Sequence, residues 1–129
     1  MSNSYEMIKP GERQQAMVFA RIFSVLSDPN RLLILKEIGK KEISVNQLAI
    51  ALNLSQPLVS HHLTILKSSG LVKASQQGSF VFYSLTSEKI SDLMDGLIEV
   101  FEEINQNTEF TPSPQVFFFR RRRRGRGWM

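Results

Sequence analysis

Apolar positions along this chain follow a helical period, switch once to alternation, and then return to the helical period. From Glu12 to Leu26, Ala16, Phe19, Ala20, Phe23 and Leu26 share one helical face. Ser27-Asp28-Pro29 stops that helix and starts another, with Asp28 suited to the N-cap and Pro29 to the first helical position. Leu32, Leu33, Leu35 and Ile38 follow, and Gly39 closes the segment. Ser44-Val45-Asn46-Gln47 has the pattern of a capping box and opens a short helix that buries Leu48, Ala49 and Leu52. Only a tight turn separates it from the next cap, Ser55, and a helix starting at Gln56 with Pro57 in its first turn. In that helix Val59, Leu63 and Leu66 form one apolar stripe, and Gly70 ends it. Two helices joined this closely are a helix-turn-helix signature.

Past Gly70 the period becomes two. Val72 to Gln76, the turn Gln77-Gly78-Ser79, and Phe80 to Leu85 predict a strand, a turn and a strand. Val81, Tyr83 and Leu85 alternate with Phe80, Phe82 and Ser84, so one face of the hairpin should pack on the helices. Thr86 or Ser87 then caps the last helix. Its apolar residues, Ile90, Leu93, Met94, Leu97, Ile98, Phe101 and Ile104, follow the strongest period in the chain. Fully burying seven such side chains contributes roughly 10–20 kcal/mol gross. A domain this small has little surface left to cover that helix. The expectation is that it pairs with its twofold mate through Ile90, Leu93, Met94, Leu97, Ile98 and Phe101, joined by Phe19 and Phe23 of the first helix. Packing wholly within one chain is the alternative. The fold class is therefore mainly α with a small β-hairpin, a winged helix-turn-helix with N- and C-terminal dimerisation helices.

The predicted organisation is an extension over 1–13 and a winged domain over 14–108. Within the domain lie the helix-turn-helix (about 44–68), the wing (about 72–85) and the dimerisation helix (about 87–106). A tail occupies 109–129. With 42% hydrophobic and 22% charged residues, the chain has the balance of a soluble globular protein. No stretch approaches the roughly 18 apolar residues of a membrane span. The N-terminus lacks an apolar signal core, so the expected location is cytoplasmic. The absence of cysteine excludes disulfides and thiolate ligands.

The net charge of +4 is unevenly divided. Residues 31–86 carry six bases against two acids, whereas residues 87–110 carry one base against seven acids. Such a protein should present its middle third to a polyanion and turn its last helix away. The tail breaks from the helix at Thr111-Pro112-Ser113-Pro114 and holds six arginines between Arg120 and Arg126. Arginines among glycines and aromatics read as a non-specific nucleic-acid arm, and homopolymer runs also arise from a slipped coding sequence.

On the helix from Gln56, the face opposite the apolar stripe carries Gln56, Pro57, Ser60, His61, Thr64 and Lys67, with no acid. That composition suits a groove lined by phosphates and base edges, and marks a DNA recognition helix. A glutamine amide can bond adenine bidentately, and Ser60 and His61 follow on the same side. Thr64 and Lys67 suit phosphates at the helix exit, with Lys73 on the first wing strand. His62 falls between Val59 and Leu66, on the inward side, as a core or backbone-bonded histidine. Arg31 stands in a first helical turn, where the dipole disfavours a cation, so either Asp28 or a phosphate should hold it. The wing turn itself is uncharged.

Three stretches, LSDPNRLLILKEI, ISVNQLAIALNLSQPLVSHHLTILKSSGLV and FVFYSL, resemble the ArsR/SmtB family of winged-helix repressors, over roughly residues 14 to 108. The resemblance implies a symmetric dimer built on the first and last helices, a recognition helix in the major groove, and repression relieved by an inducer. Where metal-sensing members place cysteines, this chain has Glu42-Ile43-Ser44-Val45-Asn46. Where a zinc-type site uses histidines, the last helix offers only carboxylates, Asp92, Asp95 and Glu99. An oxygen-only set is unsuited to soft or borderline metals. His61 and His62 are neighbours about 100° apart on a helix and cannot chelate one ion together.

The expectation is a dimeric repressor on a double-stranded operator, with no metal site and no cofactor. Its effector is left open: a small molecule between the long helices, a protein partner, or none. A winged-helix protein-interaction module, or a non-sequence-specific binder using the arginine-rich tail, is the alternative. Nothing in the sequence points to an enzyme: there is no cysteine, no glycine-rich phosphate loop, and no acid beside either histidine.

Overall fold

The computed structural model describes residues 7–107, so the arginine-rich run at 120–126 lies outside the described residues. Five helices and three short strands follow in the order α1 (Pro10–Leu26), α2 (Pro29–Ile38), β1 (Ile43–Ser44), α3 (Val45–Leu52), α4 (Gln56–Ser68), β2 (Val72–Gln77), β3 (Phe80–Leu85) and α5 (Glu88–Asn107). The sheet is antiparallel in the order β1-β3-β2, with Ile43 opposite Tyr83 and Val72 opposite Leu85. The hairpin expected from the sequence therefore gains a third strand. Ile43-Ser44 is too short to announce itself by alternation.

Local chemistry sets most of the boundaries. Asp28 accepts the backbone N–H groups of Asn30 and Arg31 at 2.8 and 3.2 Å, capping α2. Ser44 and Gln47 cap α3 reciprocally, at 3.2 and 3.0 Å. Ser55 accepts the Leu58 N–H at 3.3 Å. Gly70, at φ +80°, turns the chain out of α4, and Leu71 N–H reaches back to the Leu66 carbonyl. Of the two candidate caps for α5, Ser87 accepts the Lys89 N–H. Thr86 instead donates its hydroxyl to the Gly70 carbonyl at 2.8 Å, which ties the end of the wing to the end of α4. The first helix starts earlier than Glu12, because Pro10 takes its first position and Glu12 accepts the Lys9 N–H.

The core lies between α2, α3, α4 and the base of the wing. Ile34, Leu35, Ile38, Leu48, Val59, Leu63 and Leu66 are fully buried, joined by Val72, Leu71, Leu85 and Ile43. Ile34 replaces the expected Leu32, which is turned outward. The wing packs only at its base: Leu85 is buried and Tyr83 rests on the core, whereas Val81 and Phe80 project beyond the helices.

Helices α1 and α5 frame this core without being absorbed by it. Ile22, Val25 and Leu26 of α1 and Ile90 and Met94 of α5 pack against it. Met17, Val18, Phe19 and Phe23 stay exposed, as do Leu93, Ile98, Val100, Phe101 and Ile104. Among the described residues no helix is long and apolar enough to cross a membrane.

Candidate nucleic-acid interface

Helix α4 divides cleanly into two sides. Val59, His62, Leu63 and Leu66 are buried, while Gln56, Pro57, Ser60, His61, Thr64 and Lys67 are all exposed. The six predicted contact residues of this helix thus form one outward face. Its chemistry is donors, acceptors and one cation, with no carboxylate. Lys67 stands in the last turn, where the helix dipole favours a cation.

Two bonds arrange this face. Gln56 Nε2 donates to Asn46 Oδ1 at 2.8 Å, bridging the first turns of α4 and α3. The sequence pattern gave Asn46 no role, since its partner is ten positions away. The Thr64 hydroxyl donates to the Ser60 carbonyl at 2.9 Å, so its proton is engaged within the helix and its oxygen remains an acceptor.

The other two predicted contacts stand elsewhere. Lys73 lines a shallow cavity of about 290 Å³ with Lys40, Lys41, Glu42 and the start of α5, which none of the α4 residues lines. Lys41 is held by Glu37 at 3.3 Å, and Lys40 by Asp92 at 3.7 Å. Arg31 turns inward. Its backbone N–H goes to Asp28, but its guanidinium is directed to Val25 and His62 instead of the Asp28 carboxylate. Arg31 Nε donates to the Val25 carbonyl at 2.5 Å, and Nη1 lies 3.5 Å from His62 Nδ1.

His62 is 5% exposed, the buried histidine expected from its phase. Its Nε2 lies 3.9 Å from Asp28 Oδ1. Burial holds its pKa below the ordinary histidine value; Asp28 opposes that shift, and Arg31 and His61 add to it. The His61 and His62 rings meet edge to face, 5.4 Å apart, with only His61 on the outward side.

The wing tip is uncharged. Gln77 Nε2 donates to Glu42 Oε2 at 2.9 Å, which ties the tip strand to the segment before β1. On α5, Asp92, Asp95 and Glu99 form an exposed acidic face, and Asp92 is the carboxylate paired with Lys40.

A family profile described as "Bacterial regulatory protein, arsR family" matches residues 28–74, from the cap of α2 to β2. The chain is 37% identical over 89 residues to a transcriptional repressor SmtB homolog of Synechocystis, covering 69% of this chain and 67% of that protein. It is 28% identical over 112 residues to the nodulation protein NolR of Rhizobium meliloti, covering 87% of this chain and 92% of that one. Among solved structures, NolR from Sinorhizobium fredii superposes with a TM-score of 0.65 at 30% identity, covering 75% of this chain and 97% of that one.

Proposed function

The chain belongs to the ArsR family of bacterial regulatory proteins and is a DNA-binding regulator rather than an enzyme; from that premise we propose that it acts as a homodimeric repressor reading an imperfect palindrome. One observation carries the reading. Helix α4 buries an apolar side in the core and presents Gln56, Ser60, His61, Thr64 and Lys67 together on an exposed face without acids. A rigid helix with such a face fits the major groove, its glutamine aimed at an adenine edge and its lysine at phosphate. Pro57 fits the close approach of the first turn to the backbone. Lys73 serves as a phosphate contact from the wing base, and Arg31 as a support for α4 rather than a contact.

Dimerisation supplies the second half-site. The exposed apolar residues of α1 (Phe19, Phe23) and of α5 (Leu93, Ile98, Phe101) are what a twofold partner would cover, with Leu97 half-buried beside them. Ile90 and Met94 belong to the chain's own core as well, and so anchor α5 for that contact. Half-sites should lie about one helical turn, or a small multiple, apart. The donor chemistry supports no inducing metal, since the sequence has no thiol and α5 has no histidine.

Selection from a random duplex library tests the reading. The expected product is a two-half-site consensus of imperfect twofold symmetry. A protein-interaction module without an operator yields no consensus, and that result overturns the proposal.

A further inference from the structure

Arg31 and His62 are polar groups that direct DNA contact leaves unused, and they sit where three elements meet. His62 belongs to the buried side of α4, Asp28 caps α2, and Val25 lies in the last turn of α1. The connections run in sequence: the Val25 carbonyl accepts from Arg31 Nε at 2.5 Å, and Arg31 Nη1 approaches His62 Nδ1 to 3.5 Å. Asp28 closes the cluster, 3.9 Å from His62 Nε2. A guanidinium carries donors only, so the imidazole nitrogen facing it keeps its lone pair. That arrangement directs the imidazole proton to Nε2, toward Asp28, and burial favours the neutral ring.

We propose that Arg31 and His62 are positioning residues that tie the recognition helix to the end of α1, so that sequence-specific DNA affinity depends on how α1 is held. This rests on the reading of α4 as the helix that contacts DNA. Helix α1 also carries the exposed Phe19 and Phe23, which the proposed twofold contact would cover. A shift of α1 moves the Val25 carbonyl, deprives Arg31 of its acceptor, and releases the guanidinium from the imidazole. Pairing at one proposed surface is thereby felt at the other, through Arg31 and His62 between them.

Protonation of His62 strains the same link. It places an N–H opposite the Arg31 N–H groups and adds a second positive charge beside the guanidinium, while favouring Asp28. The pH comparison is made in chains carrying H61Q, which leaves His62 as the single histidine.

The test measures fluorescence anisotropy with the library-selected duplex and with random duplex of equal length. Chains with and without R31Q are compared at pH 7.5, and chains with and without H62Q at pH 7.5 and 5.5. Folding and dimerisation are followed by circular dichroism and sedimentation. R31Q should lower affinity for the selected duplex about tenfold or more, equivalent to about 1.4 kcal/mol, while random-duplex affinity changes less than about twofold. In H62Q the amide offers an acceptor to Arg31 and a donor to Asp28. It should keep affinity near the parent's at pH 7.5, and the parent should lose more affinity on acidification to pH 5.5 than H62Q does. Should R31Q fail to fold, the H62Q pH profile carries the test alone. The proposal is overturned if R31Q reduces both affinities in proportion or neither, or if H62Q loses as much affinity on acidification as the parent. A parent chain with no preference for the selected duplex overturns the DNA reading itself, and the proposal with it.

Discussion

Phe101→Ala isolates the proposed dimer contact from the fold that supports it. Phe101 lies near the end of α5, is 61% exposed, and is not among the residues packed against the core. With about 200 Å² for an aromatic side chain, that exposure leaves about 120 Å² for a partner to cover. At about 25 cal/mol per Å², this is worth about 3 kcal/mol per copy. A twofold interface contains the residue twice, so the gross figure is about 6 kcal/mol. Ordering costs and incomplete burial reduce it. We expect Phe101→Ala to raise the dimer dissociation constant at least about a hundredfold, or roughly 2.7 kcal/mol. Sedimentation equilibrium over a wide concentration range measures this directly. Ile50→Ala is the control, because Ile50 is 73% exposed but lies on α3 and not on α1 or α5. Equal dissociation constants for the parent and Phe101→Ala, or equal weakening by Ile50→Ala, would refute the reasoning.

Three further outcomes follow from particular residues. His62 has its pKa lowered by burial, so below the ordinary value of about 6.5 the unfolded chain binds the extra proton more readily than the folded one. Its contribution to stability is complete above that value and is lost as pH falls through the folded value; urea midpoints should drop from pH 7 to 5 more steeply in the parent than in H62Q. Gly70→Ala should destabilise the fold by about 1–2 kcal/mol, because Gly70 sits at φ +80° while nothing lies within 4 Å of an added Cβ. A melting point lowered by about 4–8 °C per kcal/mol checks it. Micromolar zinc should leave the DNA complex intact in a titration, and release of DNA would reveal a ligand set that the carboxylates of α5 do not suggest.

What the sequence made legible was mostly local. Asp28, Ser44 with Gln47, Ser55 and Gly70 place helix ends through bonds to backbone two or three residues away, and such chemistry shows in a short window. The two sides of α4 were equally readable, since Val59, Leu63 and Leu66 fix its phase and with it the exposure of Gln56 and His61. Helix α2 was harder: LLIL is apolar at four successive positions and carries no phase, so Ile34 and Leu32 exchanged roles. The partners of Arg31 were hidden for a different reason. Its acceptors come from Val25 and His62, 6 and 31 positions away, and only the tertiary fold brings them together. Asn46 and the strand at Ile43 likewise acquire their roles from partners distant in the chain.

The central claim is that α4 reads base sequence through its exposed face. It is tested most directly by a chain carrying both Gln56→Ala and His61→Ala, titrated against the selected duplex and against random duplex at one salt concentration. Each lost base contact is worth about 1–3 kcal/mol of discrimination. The double variant should therefore lose at least about tenfold more affinity for the selected duplex than for random DNA. Equal losses on the two duplexes would show that these residues hold the backbone only, and would contradict the account.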